Sequence, residues 1–331
     1  MKISIKYIFV LLVIVCVQTV FAQPAANAQN TESLRNQALK LYREKKFDEA
    51  LKLAQQIVQI KEKALGADHL EVAAALADMA TIEVASGNLK NGENTLRRVI
   101  AIYESKPNLT KDENLALARI FDVSGYIKLR DEKYPKAIED YLRALAIKEK
   151  YIGTESLETA KSLWQVANVY LADGDYQKSY EYYERALKIR SANMNWVGYD
   201  EVRDALQRYE CAANKSGNGA VAYALIKEID DKIDEQSKQT ILKDGVVNGK
   251  AAKLVKPRYP ERASSKGATG RIEVRVTIDE TGRVIFACSV SGHPVFYKNA
   301  EDAALASVFS PTQINGRPVK VVGIIVYNFV R

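Results

Sequence analysis

Arg271-Ile272-Glu273-Val274-Arg275-Val276-Thr277-Ile278-Asp279 carries an apolar residue at every second position, the period of a strand with one face in a core. Ile272, Val274, Val276 and Ile278 are assigned to that core. Asp279-Glu280-Thr281-Gly282 supplies turn residues, and Arg283 to Val290 reads as the returning strand of an antiparallel hairpin. From Val295 to Val308 the period lengthens. Phe296, Ala300, Ala303 or Ala304, and Ser307 then share one small-residue face, as in a short helix laid on a sheet. The closing stretch, Val319 to Val330, is apolar on both faces: Val319, Val321, Ile325, Tyr327 and Phe329 on one, Val322, Ile324, Val326 and Val330 on the other. Such a strand is either central in its sheet or an edge that expects a partner.

Around these elements stand Lys256-Pro257-Arg258-Tyr259-Pro260, Gly270-Arg271-Ile272-Glu273-Val274, Ile278-Asp279-Glu280-Thr281-Gly282, Ser291-Gly292-His293-Pro294, Phe309-Ser310-Pro311 and Tyr327-Asn328-Phe329. In this order and spacing they resemble the C-terminal domain of TonB-type energy transducers, over about a quarter of the chain. The resemblance implies a periplasmic two-layer α/β module that captures an extended peptide of an outer-membrane receptor by strand addition. The strand-edge binding residues are then Val322, Ile324, Val326 and Asn328.

At the other end, Lys2 and Lys6 precede an apolar run from Tyr7 to Val20, and Val20-Phe21-Ala22 offers a cleavage site before Gln23. This reads as a secretory signal peptide, since the run falls short of the roughly 20 residues that span a bilayer. The expected location is the periplasm, with an uncleaved inner-membrane anchor as the alternative. Val15 before Cys16 is the wrong residue for a lipoprotein signal. Export leaves Cys211 and Cys288, one expected in a helix and one in a strand. A disulfide between them is open, but two separately buried thiols are the expectation. His69 and His293, the only histidines, have no partner at metal-ligand spacing. Each is given a turn or helix-capping role.

Between the two ends the chain repeats. Phe47, Leu89, Tyr134 and Tyr176 recur at intervals of 42, 45 and 42, each after a short polar turn, and each is followed three positions later by a small residue: Ala50, Gly92, Ala137 and Ser179. A second small column, Ala38, Ala80, Gly125 and Ala167, lies twelve residues before the first. Small residues in both columns let paired helices approach closely. The columns resemble tetratricopeptide repeats, of the extended kind seen in kinesin light chains, because the interval exceeds the family's usual length of about 34 residues. The longer third connection, Ser105 to Asp112 with Pro107, accounts for the interval of 45. Two further helical stretches, Asp200 to Ala213 and Ala220 to Gln239, read as a degenerate repeat or cap.

The expected fold is multidomain: an all-α, TPR-like helical repeat solenoid followed by a small α+β two-layer domain of order strand, strand, helix, strand. Its parts are a signal peptide over 1–22, a flexible N-terminus over 23–30, about four repeats over 31–195, a cap over 196–240, a linker over 241–256 and the TonB C-terminal-like domain over 257–331. A repeat groove is assigned to Arg35, Tyr42, Arg119, Tyr126, Lys161, Trp164 and Asn168, with Asp122 on the same inner face. Lys243 to Arg331 holds 14 Lys and Arg against 7 Asp and Glu, a net +7 that equals the charge of the whole chain. That basic excess favours acidic partners or is a solvated surface. No nucleophile–base pair, phosphate loop or metal set points to catalysis, and no cofactor is expected. The expected function is a periplasmic adaptor or transducer that binds a TonB-dependent outer-membrane receptor, with inner-membrane motor proteins as further partners if the N-terminus is an anchor. The alternative is an envelope scaffold that self-associates through its C-terminal domain. Nucleic acid is not an expected partner of an exported chain.

Overall fold

The computed structural model describes residues 30–193, 199–236, 242–247, 251–260, 263 and 269–330. The expected signal peptide, and all of 23–30 but its last residue, lie outside them. The chain divides into two compact units, Met1–Val169 and Tyr170–Arg331.

In the first unit, α1 (30–43) and α2 (Phe47–Leu65) pair as a hairpin, followed by α3 (Leu70–Ala85) with α4 (Leu89–Glu104), and α5 (Lys111–Arg130) with α6 (Tyr134–Ile152). α7 (Leu157–Asp173) follows, and α8 (Tyr176–Ala192) is next in the chain. Phe47, Leu89, Tyr134 and Tyr176 are each the first residue of their helix. The turn before each has one mechanism: the residue two positions earlier, Lys45, Gly87, Glu132 or Gly174, takes a left-handed conformation. Such a residue ends a helix and lets the next amides reach back to its last carbonyls. Lys46 N–H bonds Leu41 O, Asn88 N–H bonds Glu83 O, and Lys133 N–H bonds Lys128 O.

Both small-residue columns are buried. A Cβ on Gly125 would sit 3.0 Å from the Tyr141 ring, so α5 and α6 meet closely there and a larger residue would have to push that ring aside. The core, with Leu76, Val99, Ile102, Phe121 and Ile127, runs through α2 to α6. Each fully buried side chain of this size contributes about 1.5–3 kcal/mol. His69 caps α3 by accepting Glu71 N–H at Nδ1, 3.1 Å. α5 opens with a capping box between Thr110 and Glu113.

The second unit contains α8, α9 (Tyr199–Ser216), α10 (Gly219–Gln236) and a sheet. The strands are β1 (Leu242–Val246), β2 (Ala251–Lys253), β3 (Gly270–Ile278), β4 (Val284–Ser291), β5 (Val308–Phe309), β6 (Gln313–Ile314), β7 (Arg317–Pro318) and β8 (Val321–Phe329). The main sheet has the order β1-β8-β3-β4. β8 runs antiparallel to β3 and parallel to β1. A 3-10 turn, Pro294–Phe296, leads into α11 (Tyr297–Leu305), and His293 caps that turn through Val295 N–H.

Ile272, Val274, Val276, Ile278, Val321, Ile325, Tyr327 and Phe329 form one buried face with Phe296, Ala300, Ala303 and Ala304. Tyr259 of the Pro-Tyr-Pro segment plugs the end of this core, edge-on to Phe296 and Phe329. Gly282 is required at the β3–β4 turn, since its φ is 88° and a Cβ would lie 1.9 Å from Phe309 O. The stretch read as linker supplies β1 and β2 instead of a plain connector.

Candidate functional site

Strand addition needs a sheet edge whose peptide groups can be reached. The two edges of this sheet differ.

At β4, a helix side chain caps one peptide group of the edge. Glu301 of α11 accepts the Ser289 N–H at 2.7 Å and also pairs with Lys215 of α9 at 2.7 Å, with both side chains largely buried. Near the start of β4, Arg283 is bridged by Val308.

At β8, a strand of the same chain occupies the edge. β1 lies beside Val321 to Ile324, with Leu242 opposite Val321, Lys243 opposite Val322 and Val246 opposite Ile324. Val247 N–H donates to Ile324 O at 2.9 Å. Peptide groups alternate along a strand. Those of Val322, Ile324, Val326 and Asn328 therefore face the outer edge, while those of Val321, Ile325 and Tyr327 face β3. The four residues assigned from sequence are thus the four that present that edge. Val322 and Ile324 are not open, however, because β1 is paired against them.

The second face of the sheet, bearing Arg275, Thr277, Phe286, Cys288, Val322 and Ile324, is covered in part by α9. Cys211 and Cys288 form a disulfide, which corrects the expectation of two separate thiols. No local pattern signals that a helix of the cap lies on β4, and only that docking brings the cysteines together. Gln207 Oε1 accepts from Thr277 Oγ1 at 2.6 Å, Glu210 pairs with Arg275, and the Arg208 guanidinium stacks 5.4 Å from the Phe286 ring centre. These contacts leave a cleft of about 400 Å³ between the α9–α10 hairpin and β8, with Leu206, Tyr223, Ile226, Val322 and Ile324 on its apolar walls.

The repeat groove is brought together only in part. Arg35, Leu39, Tyr42 and Thr81 line one shallow pocket of about 90 Å³, and Arg35 is tied to Asp78 at 2.9 Å. Arg119, Tyr126 and Lys161 are exposed, while Trp164 and Asn168 are half-buried; none of these five lines that pocket. Asp122, placed on the inner face from sequence, instead forms a 2.6 Å ion pair with the buried Lys148. Burial raises its carboxyl above the usual range against the pull of that lysine. Lys148 also donates to Ser162 at 2.7 Å, so this cluster holds helices together.

A family model of the tetratricopeptide repeat matches residues 28–105 and 117–192, and one of the Gram-negative bacterial TonB protein C-terminal matches 255–330. Among solved structures, the kinesin light chain nearly identical TPR-like repeats from Podosopora anserina superpose with a TM-score of 0.52 at 20% identity, covering 63% of this chain and 98% of that one. BtubC (BKLC) from P. vanneervenii gives 0.51 at 15% identity, over 66% and 94%. The apo form of RapI gives 0.51 at 17%, over 62% and 72%. At such identities the likeness shows the fold alone. No curated protein matches the chain.

Proposed function

Because the chain joins tetratricopeptide repeats to a TonB-type C-terminal domain, we propose that it is an exported cell-envelope adaptor that binds an extended peptide by strand addition at the outer edge of β8. Its ligand is a segment of an outer-membrane receptor, and its role is linked to transport across that membrane. One observation carries this reading: β8 already accepts an extended segment at that edge, through β1, whereas at β4 a side chain, Glu301, takes the Ser289 N–H. The net +7 of Lys243 to Arg331 favours an acidic peptide. The exposed residues Arg119, Tyr126 and Lys161 and the half-buried Trp164 and Asn168 offer the repeats as a second protein-binding surface, with Arg35 and Tyr42 at its first pocket. Among the described residues no helix is long and apolar enough to cross a membrane.

A photo-crosslinking residue at position 328 tests the reading in a Gram-negative host, with one at the exposed Ile285 of β4 as control. The expected result is an adduct from position 328, and none from 285, that maps to an extended segment of an outer-membrane receptor. Receptor adducts of equal yield from both positions, or none from 328, would overturn it. N-terminal sequencing and fractionation complete the test: a free Gln23 in the periplasm supports an adaptor, and an intact Met1 in the inner membrane supports an anchored transducer that engages motor proteins.

A further inference from the structure

β1 pairs with β8 but has a poor strand sequence. Lys243, Asp244 and Gly245 are of types depleted in strands, and a glycine inside a strand weakens it. Its pairing with β8 is parallel and slips in register between Lys243 and Val246, and parallel pairing is the weaker kind per residue. What compensates is a tether. β1 begins six residues after α10 ends at Gln236, and the neighbouring α9 is fixed to β4 by the Cys211–Cys288 disulfide. A short tether raises the effective concentration of a segment to the millimolar range, enough to seat a strand of low intrinsic affinity.

We propose that β1 is an internal place-holder: Leu242–Val246 occupies the β8 edge when no ligand is present, and an incoming extended peptide of better strand composition displaces it. This rests on the strand-addition reading above. Occupancy by β1 lowers the apparent affinity for any ligand by the fraction of time the edge is filled. A peptide no better than β1 then binds only at about millimolar concentration, while one rich in β-branched or aromatic residues wins. The chain thereby rejects weak strands and keeps Val321 to Ile324 from standing as a bare edge. A side-chain cap such as Glu301 on β4 gives no such exchange, because it moves only with its helix.

The test uses the full chain and a variant in which Leu242–Val246 is replaced by a Gly-Ser segment of equal length. The probes are two fluorescent peptides: one copying 240–248 of this chain, and one with Lys243→Thr, Asp244→Val and Gly245→Thr in the same frame. Anisotropy is expected to show the replaced chain binding both probes at least 10-fold more tightly than the unmodified chain, which binds only the second measurably. Equal binding to both chains would overturn the place-holder and leave strand addition standing. No binding of the second probe to either chain would overturn both. Amide exchange on the unmodified chain needs no variant to fold. Adding the second probe is expected to speed exchange over 242–247 while β8 stays protected. Unchanged or slower exchange over 242–247 in the bound state would overturn the proposal.

Discussion

The two edges of one sheet are covered by different means. At β4 a carboxylate on a packed helix takes the outward N–H of Ser289 and is itself neutralised by Lys215. At β8 five residues of main chain lie alongside Val321 to Ile324. A side-chain cap is specific to one amide and is locked by the packing of its helix. A strand cap satisfies any backbone, so any extended segment can replace it. One edge thus carries a side-chain cap and the other a paired main-chain segment, and this asymmetry is what directs a binding reading to β8.

The sharpest way to break that comparison is proline on the two kinds of β8 position. Ile325→Pro removes an N–H that faces β3 and a fully buried side chain, a loss of about 5 kcal/mol or more that unfolds the sheet. Asn328→Pro removes an outward N–H at an exposed residue and is expected to keep the fold while peptide binding is lost. Circular dichroism and anisotropy on the two variants check this, and equal unfolding by both would refute the assignment of the outer edge.

Next in size is the joint behind the sheet. Cys211→Ser removes a cross-link spanning 77 residues, worth about 4 kcal/mol in the loop-entropy picture. Denaturant unfolding of the second unit should show a loss of that order. A change under about 1 kcal/mol would mean that Glu210, Gln207 and Arg208 hold α9 on the sheet without the disulfide.

Glu301→Ala sharpens the comparison at the other edge. It strands a buried Lys215 and frees the Ser289 N–H, at a cost of about 3 kcal/mol, and should raise concentration-dependent association as β4 becomes a usable edge. Light scattering that stays at monomer values would show that β4 is protected by something other than Glu301.

The smallest effect concerns the turn at the end of the β3–β4 hairpin. The Thr281 hydroxyl, followed by the Arg283 N–H, holds the exposed Asp279 carboxyl below its ordinary range. A carboxyl lowered in the fold contributes stability that is present above its unfolded pKa of about 3.9 and is lost as pH falls through the lower folded value. The melting temperature of Asp279→Asn should therefore fall less steeply than that of the unmodified chain below about pH 4. Parallel curves would remove Asp279 from the account.

Much of this architecture is legible along the chain because its causes are local. The small columns mark helix contacts, and Phe47, Leu89, Tyr134 and Tyr176 open their helices. Period-two alternation gives β3, and the capping roles of His69 and His293 follow from the turns they begin. Legibility fades where a residue's role depends on a distant partner. Asp122 has the sequence position of a groove residue, but a lysine 26 residues on claims it. Lys45 and Glu132 take left-handed turns that glycine takes in the other repeats, with nothing in their residue type to announce it.

The sequence by itself determined a repeat array of paired helices, an alternating hairpin and a long two-faced strand, because periodicity and turn chemistry act within a few residues. Only the tertiary structure decided that Leu242–Val246 is a strand, that α9 lies on the sheet and brings Cys211 to Cys288, and that Glu301 caps an amide of one edge while main chain pairs with part of the other. Backbone pairing and helix docking join segments far apart in the chain, and their energies depend on which surfaces are left uncovered once every local element has formed.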